Sequence, residues 1–275
     1  MTRGGARRRH TRPPGAVVAL AALGVLVFLV APLAGLLQRA PWHELWSDLT
    51  DPATRDALRL SIECSVAATA LSVLAGVPIA WVLARTEFRG RSLLRALALL
   101  PMVLPPVVGG VALLVAFGRN GLVGQYLYRW FGVTLAFSTW GVILAETFVA
   151  MPFLVITVDG ALRGLDRRYE DAAATLGGSR WTVMRRITLP AIAPSLAAGA
   201  ALTWARALGE FGATITFAGN LPRVTQTMPL AVYLALQNDT GSAIVLSLVL
   251  LAVSIAVLAL VGGRVLADRR AASPS

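Results

Sequence analysis

The chain has 275 residues, 56% of them hydrophobic, and a mean hydropathy of +0.70, which excludes an ordinary soluble globular domain. Its formal charge is +11; the positive charges are all arginine and sit at the ends of apolar runs, not on a separate basic domain, so nucleic acid is not an expected partner. Because there is no lysine, a standard nucleotide-binding P-loop and Schiff-base chemistry are both excluded.

Residues 1–14 form a basic tail containing Pro13-Pro14. Six apolar runs follow, near Gly15–Leu37, Leu60–Ala84, Ala96–Phe117, Thr134–Val158, Ala191–Phe211 and Ala243–Leu266. Each reaches the roughly 20 residues that a membrane-spanning helix needs. The expected fold is therefore an all-α membrane protein with six transmembrane helices. The first run follows Arg7-Arg8-Arg9 but is too long for the core of a typical signal peptide, so it reads as an uncleaved helix. Residues 15–58 take in this helix and the loop after it, where Trp42 and Trp46 suit the membrane interface. Residues 59–264 hold the other five spans, and 265–275 form a second tail with no regulatory domain expected behind it. No internal repeat or low-complexity tract is evident.

Orientation follows from the arginines. They concentrate in the first tail, in the second-to-third loop (Arg85, Arg89, Arg91, Arg95), in the fourth-to-fifth loop (Arg163, Arg167, Arg168, Arg180, Arg185, Arg186) and in the last tail (Arg264, Arg269, Arg270). The positive-inside rule then places both termini in the cytoplasm, as an even number of spans requires.

Within the second span, the lone Cys64 reads as a small apolar residue, and no internal disulfide is possible. The third span carries Pro101, Pro105, Pro106, Gly109 and Gly110, which should bend or unwind it. In a membrane such a break either lines a pathway or is a packing bend buried in protein. Glu63 falls near an outer boundary and Glu146 midway along the fourth span. Arg206 and Glu210 are spaced i, i+4 on one helix face, where they can pair with each other or meet a substrate. Beyond them, Gly209, Phe211, Thr214 and Thr216 lie in a small-residue stretch, Ala207–Asn220, that could pass an oxyanion by neutral hydrogen bonds or pack closely against another helix. The loop Gly219–Gly241, with Pro222, Pro229 and Tyr233, could form a docking surface, a re-entrant or interfacial cap, or both.

The fourth-to-fifth loop, 159–190, is the most patterned water-side segment. Asp166 can cap a first short helix with Tyr169, Ala172, Ala173 and Leu176 on one face, and Gly177 offers its stop. Ser179 can cap a second, with Trp181, Met184 and Ile187 or Thr188 on one side. Pro190 should then turn the chain back into the membrane.

No catalytic centre is expected. His10 and His43 fall in a tail and a loop on opposite sides, so no histidine cluster can hold a metal. There is no His-Glu-x-x-His or Gly-x-Ser-x-Gly pattern and no histidine within a span.

Asp171-Ala172-Ala173, then Gly177, then Ile187-Thr188-Leu189-Pro190 resembles the "EAA" motif of bacterial ABC importer permeases. Asp171 stands where the family has Glu, with Glu170 just before it, so either acid could take the family's role. The resemblance implies a type I ABC importer permease fold whose coupling helix docks on a separate ATPase, with Glu170, Asp171, Ala172, Ala173, Gly177, Ile187, Leu189 and Pro190 as the coupling residues. Leu104–Gly110, Gly118–Gly121, Phe148–Phe153, Ala205–Asn220 and Thr225–Tyr233 resemble the molybdate permeases more narrowly, with the sulfate/thiosulfate permeases close by.

That resemblance implies a homodimeric pore served by two cytoplasmic ATPases and an extracytoplasmic molybdate-binding protein. It implies no cofactor of the chain's own, since ATP is used by the partner. Pro105, Pro106, Gly209, Phe211, Thr214 and Thr216 are the candidate pathway residues, and Arg206 and Glu210 the candidate ion pair. The alternatives are a sulfate or tungstate permease or, more distantly, a carrier or scaffold that works without an ATPase.

Overall fold

The computed structural model describes residues 15–271, so the basic tail 1–14 and residues 272–275 lie outside the described residues. Among the described residues the chain is helical with no strand. Five helices are long and apolar enough to cross a membrane: α1 (Ala16–Arg39), α3 (Pro52–Arg85), α7 (Thr139–Gly164), α10 (Leu189–Leu208) and α13 (Thr240–Ala271). Between α1 and α3 lies the short α2 (Leu45–Thr50).

The third span is bent where its prolines predict. It is two helices, α4 (Arg91–Val103) and α5 (Pro106–Phe117), bent by 117° at Leu104-Pro105. Proline has no N–H to continue the ladder, and the residue before it is pushed to extended geometry. Leu104 accordingly adopts φ −66°, ψ 135°. The two halves still connect the ends of the bundle. Arg91 donates to the Leu83 carbonyl at one end, and beyond α5 the Phe137 N–H reaches the Phe217 carbonyl at the other.

Local chemistry sets the remaining boundaries. Asp51 caps α3 by accepting from the Thr54 N–H at 3.2 Å, with Pro52 in the first turn. Ser138 caps α7 by accepting from the Gly141 N–H at 3.2 Å, so α7 begins five residues later than the apolar run at Thr134. At the C-terminal end of α3, Arg91 and Arg163 donate to the Leu83 carbonyl and Arg167 to the Ala84 carbonyl. These arginines read as topology signals; they also satisfy carbonyls that a helix end leaves open.

The core is the packing of α3, α7 and α10. Ala80, Leu83, Leu154, Val155, Val158 and Ile192 are buried in it. Small residues allow the close approach, as at Gly199, where an added Cβ would sit 3.1 Å from Thr157. In contrast, α1 has no buried residue.

Candidate functional site: a coupling loop and two broken helices

At the end of the bundle where α3 and α7 finish, the chain forms α8 (Arg168–Thr175), α9 (Arg180–Val183) and a π-helical turn (Met184–Thr188). The two expected short helices are present. Asp166 Oδ1 accepts from the Arg168 N–H at 3.0 Å, although Arg167 occupies the cap position. Gly177 has φ +82°, a left-handed stop that a side chain would strain, and the Gly178 N–H returns to the Ala173 carbonyl. Ser179 caps α9 through the Thr182 N–H.

Pro190 corrects the reading. The chain does not turn there; α9, the π turn and α10 run on as one helical stretch, Arg180–Leu208. Pro190 lacks an N–H, and the wider π turn just before it absorbs the change of register, with the Leu189 N–H bonding the Met184 carbonyl.

The two candidate acids part company. Glu170 turns inward: its Oε1 accepts from Arg85 Nη2 at 3.1 Å and from Thr188 Oγ1 at 2.7 Å. It therefore ties α8 to the end of α3 and to the π turn at once. Asp171 is exposed. Tyr169, Leu176 and Trp181 are 64%, 89% and 64% exposed, an apolar surface beside this clasp. Ala172 is exposed as well, Ala173 and Ile187 are half-buried, and Leu189 lies at the start of α10.

Deeper in the bundle α10 stops at Gly209, and α11 (Gly212–Phe217) begins after Phe211. This break meets the break between α4 and α5. A Cβ on Gly212 would lie 2.7 Å from Pro106 Cβ, and one on Gly110 would lie 2.8 Å from the Ala213 carbonyl and overlap Thr216. Only glycine permits either approach.

Glu210 holds the crossing. Its Oε2 pairs with Arg206 Nη2 at 2.7 Å and its Oε1 accepts from the Ala213 N–H at 2.8 Å. The expected Arg206–Glu210 pair thus forms, with the Glu210 side chain 1% exposed and that of Arg206 29% exposed. Glu146 is also buried, on α7.

The candidate pathway residues divide here. Pro105, Pro106 and Gly209 are exposed in the protomer, and the half-buried Phe211 ring lies 5.1 Å from that of Tyr233. Thr214 is fully buried, and the Thr216 hydroxyl donates to the Gly212 carbonyl of its own helix. In this protomer those two threonines pack α11 rather than present hydroxyls to open space.

The segment after α11 caps the same end of the bundle. Thr225, Gln226, Thr227 and Met228 are buried, and the Met228 N–H donates to Ser61 Oγ at 2.7 Å. Thr139 Oγ1 donates to the Val224 carbonyl, and Arg223 pairs with Asp56 at 2.9 Å. From Met228 the chain runs into α12 (Met228–Asn238), which packs against α13.

Sequence reasoning named Arg85, Thr188 and Tyr233 but missed their contacts with Glu170 and Phe211. Arg85 was visible only as one more arginine at the end of a span.

Residues 76–271 match the family model described as "Binding-protein-dependent transport system inner membrane component". The chain is 49% identical over 247 residues to the molybdenum transport system permease protein ModB of Mycobacterium tuberculosis (strain ATCC 25618 / H37Rv), covering 90% of this chain and 93% of that protein. It is 36% identical over 240 residues to the sulfate transport system permease protein CysT of Escherichia coli (strain K12), covering 86% of each. In fold it resembles a chain of a bacterial ABC transporter involved in the import of alginate, with a TM-score of 0.72 at 20% identity, covering 94% of this chain and 95% of that one.

Proposed function

The chain belongs to the family of binding-protein-dependent transport system inner membrane components, and from that premise we propose how it imports molybdate. It is the membrane-spanning permease subunit of the importer. The cargo assignment rests on similarity: the molybdenum permease named above is markedly more alike than the sulfate permease.

Two copies form the pore in the cytoplasmic membrane, with both termini on the cytoplasmic side. An extracytoplasmic binding protein delivers molybdate to the end capped by 218–228. Two separate ATPases dock at the opposite end, on α8 and α9 of each copy. ATP is hydrolysed by those partners; this chain contributes no catalytic group and binds no cofactor of its own.

The observation that carries the coupling role is the exposed Tyr169–Leu176–Trp181 surface clasped to the bundle through Glu170. Apolar side chains of this size on the water side gain by burial against a protein partner. Force on α8 passes through Glu170 to Arg85 on α3 and to Thr188 at the root of α10. From there α10 leads without interruption to Gly209, where its break rests on that of the third span. Two breaks in contact give rigid helices a place to reorient, and irregular backbone inside a membrane is tolerated where it is buried in protein or lines a cavity. Arg206, partly exposed and held by Glu210, lies in the last turn of α10 before the Gly209 break.

Assembly of the chain with an ATPase and a molybdate-binding protein in liposomes tests this reading. Molybdate-loaded binding protein should stimulate ATP hydrolysis more than a sulfate-loaded counterpart. Equal stimulation by both would remove the molybdate assignment.

A further inference from the structure

At the end of the bundle opposite the coupling loop, a short helix α6 (Gly124–Phe131) stands between the third and fourth spans. It has two unlike faces. Val123, Tyr126 and Trp130 recur at i, i+3 and i+7, and Trp130 and Phe131 are 72% and 70% exposed. Exposed aromatics on a short amphipathic helix at the end of a membrane bundle suit the headgroup layer. On the other face Gln125, Tyr128 and Arg129 recur at i, i+3 and i+4 and, with Arg119 and Asn120, line a cavity of about 420 Å³. That is large enough for a small polar headgroup.

The cavity is cationic and built. Arg119 Nη2 donates to the Tyr128 hydroxyl at 2.6 Å, and its guanidinium carbon stands 4.1 Å from the centre of the same ring. These contacts orient the guanidinium. Neither Arg119 nor Arg129 has a carboxylate partner among the described residues. No Asp or Glu occurs between Glu87 and Glu146. The acids at this end, such as Asp51 and Asp239, line a different pocket beside α2 and α13. Two arginines without counter-ions, flanked by Asn120 and Gln125 as neutral donors, match a tetrahedral oxyanion.

We propose that this pocket binds the phosphate of an anionic phospholipid in the leaflet at that end, with Arg119 and Arg129 as the anion ligands and Trp130 and Phe131 as the anchor beside it. The site rests on the chain being membrane-integral and not on the identity of its cargo.

Native mass spectrometry of the full-length chain released from micelles doped with phosphatidylglycerol tests it. The wild-type chain should retain the lipid, and the double variant Arg119→Gln, Arg129→Gln should retain it about 30-fold more weakly. The double variant Arg119→Lys, Arg129→Lys, which keeps the charge, should fall between them and guards against a folding defect. Leu176→Glu, at the opposite end, should leave retention unchanged. Equal retention by the wild-type chain and the Gln variant would overturn the proposal. So would displacement of the lipid by millimolar inorganic phosphate or molybdate acting through the same arginines, because the oxyanion held there would then be a free ion. Lipid retention is read without transport, so absent uptake would sink the transport reading and leave this one standing.

Discussion

Glu170 and Arg85 form an ion pair at 3.1 Å with side chains only 15% and 9% exposed, joining α8 to the end of α3 across 85 residues of chain. Thr188 donates to the same carboxylate oxygen, so one acid holds α8 to two spans. Asp171, its neighbour in the motif, is exposed.

The two acids should therefore fail differently. Glu170→Gln is expected to cost about 2–4 kcal/mol of stability, because it leaves Arg85 with a weakened partner in a largely dry site. Asp171→Asn should change stability by less than about 0.5 kcal/mol. Thermal unfolding in detergent measures both. The double variant Arg85→Met, Glu170→Leu should recover part of the loss while still uncoupling ATP hydrolysis from uptake.

Gly212→Ala places a methyl group 2.7 Å from Pro106 Cβ. The two breaks must then separate, at a cost of about 1–3 kcal/mol. Uptake should fall steeply while ATPase binding, measured by co-purification, is unchanged, since the coupling loop lies at the other end of α10. Gly209→Ala, where the only neighbour is the Ala205 carbonyl at 3.6 Å, is the control and should keep most activity.

Glu210 is 1% exposed and serves both Arg206 and the Ala213 N–H. Arg206→Ala leaves that carboxylate buried without its cation and is expected to cost about 3 kcal/mol. Glu210→Gln should cost less, because an amide oxygen can still accept from Ala213. If unfolding curves ranked the two variants the other way, Glu210 would not be the buried partner whose charge needs compensation.

At the end away from the coupling loop, hydrogen bonds from the Ser242 hydroxyl and then from the Gly241 and Ser242 N–H groups hold the Asp239 carboxyl below its ordinary 3.8. Their stabilisation is fully present above pH 3.8 and is lost as pH falls through the lower folded value. Asp48, in contrast, is raised by burial, and the charges of Glu44, Asp239 and Asp51 add to it. Its ionised form opposes the fold, so that part of the stability is greatest below pH 3.8 and is lost as pH rises. Melting curves across pH should show that Asp239→Ala removes stability at neutral pH and flattens the acid limb. Asp48→Asn should raise stability at neutral pH.

Much of this was legible in the sequence because it is local. Apolar runs marked the spans, arginine clusters marked the ends, and the Asp171–Gly177 spacing fixed a short helix with its stop. The Arg206–Glu210 pair was readable from i, i+4 spacing alone. What could not be read depends on contacts between distant segments. Nothing near Glu170 announces Arg85, and nothing near Gly212 announces Pro106. The prolines at 101, 105 and 106 signalled a bend, but not its 117° angle or the packing of α5 on α11. Pro190 misled for the opposite reason: the π turn before it lets the helix continue, where proline alone would suggest a turn.

The most direct test of the central claim is ATP-dependent uptake of labelled molybdate into proteoliposomes that hold this chain and its ATPase, with the binding protein supplied outside. Molybdate should accumulate only with ATP, sulfate should accumulate far less, and Leu176→Glu, which puts a charge on the 89% exposed Leu176 position proposed to dock the ATPase, should abolish uptake together with ATPase co-purification. Accumulation without ATP, or full uptake by Leu176→Glu with the ATPase no longer bound, would contradict the account.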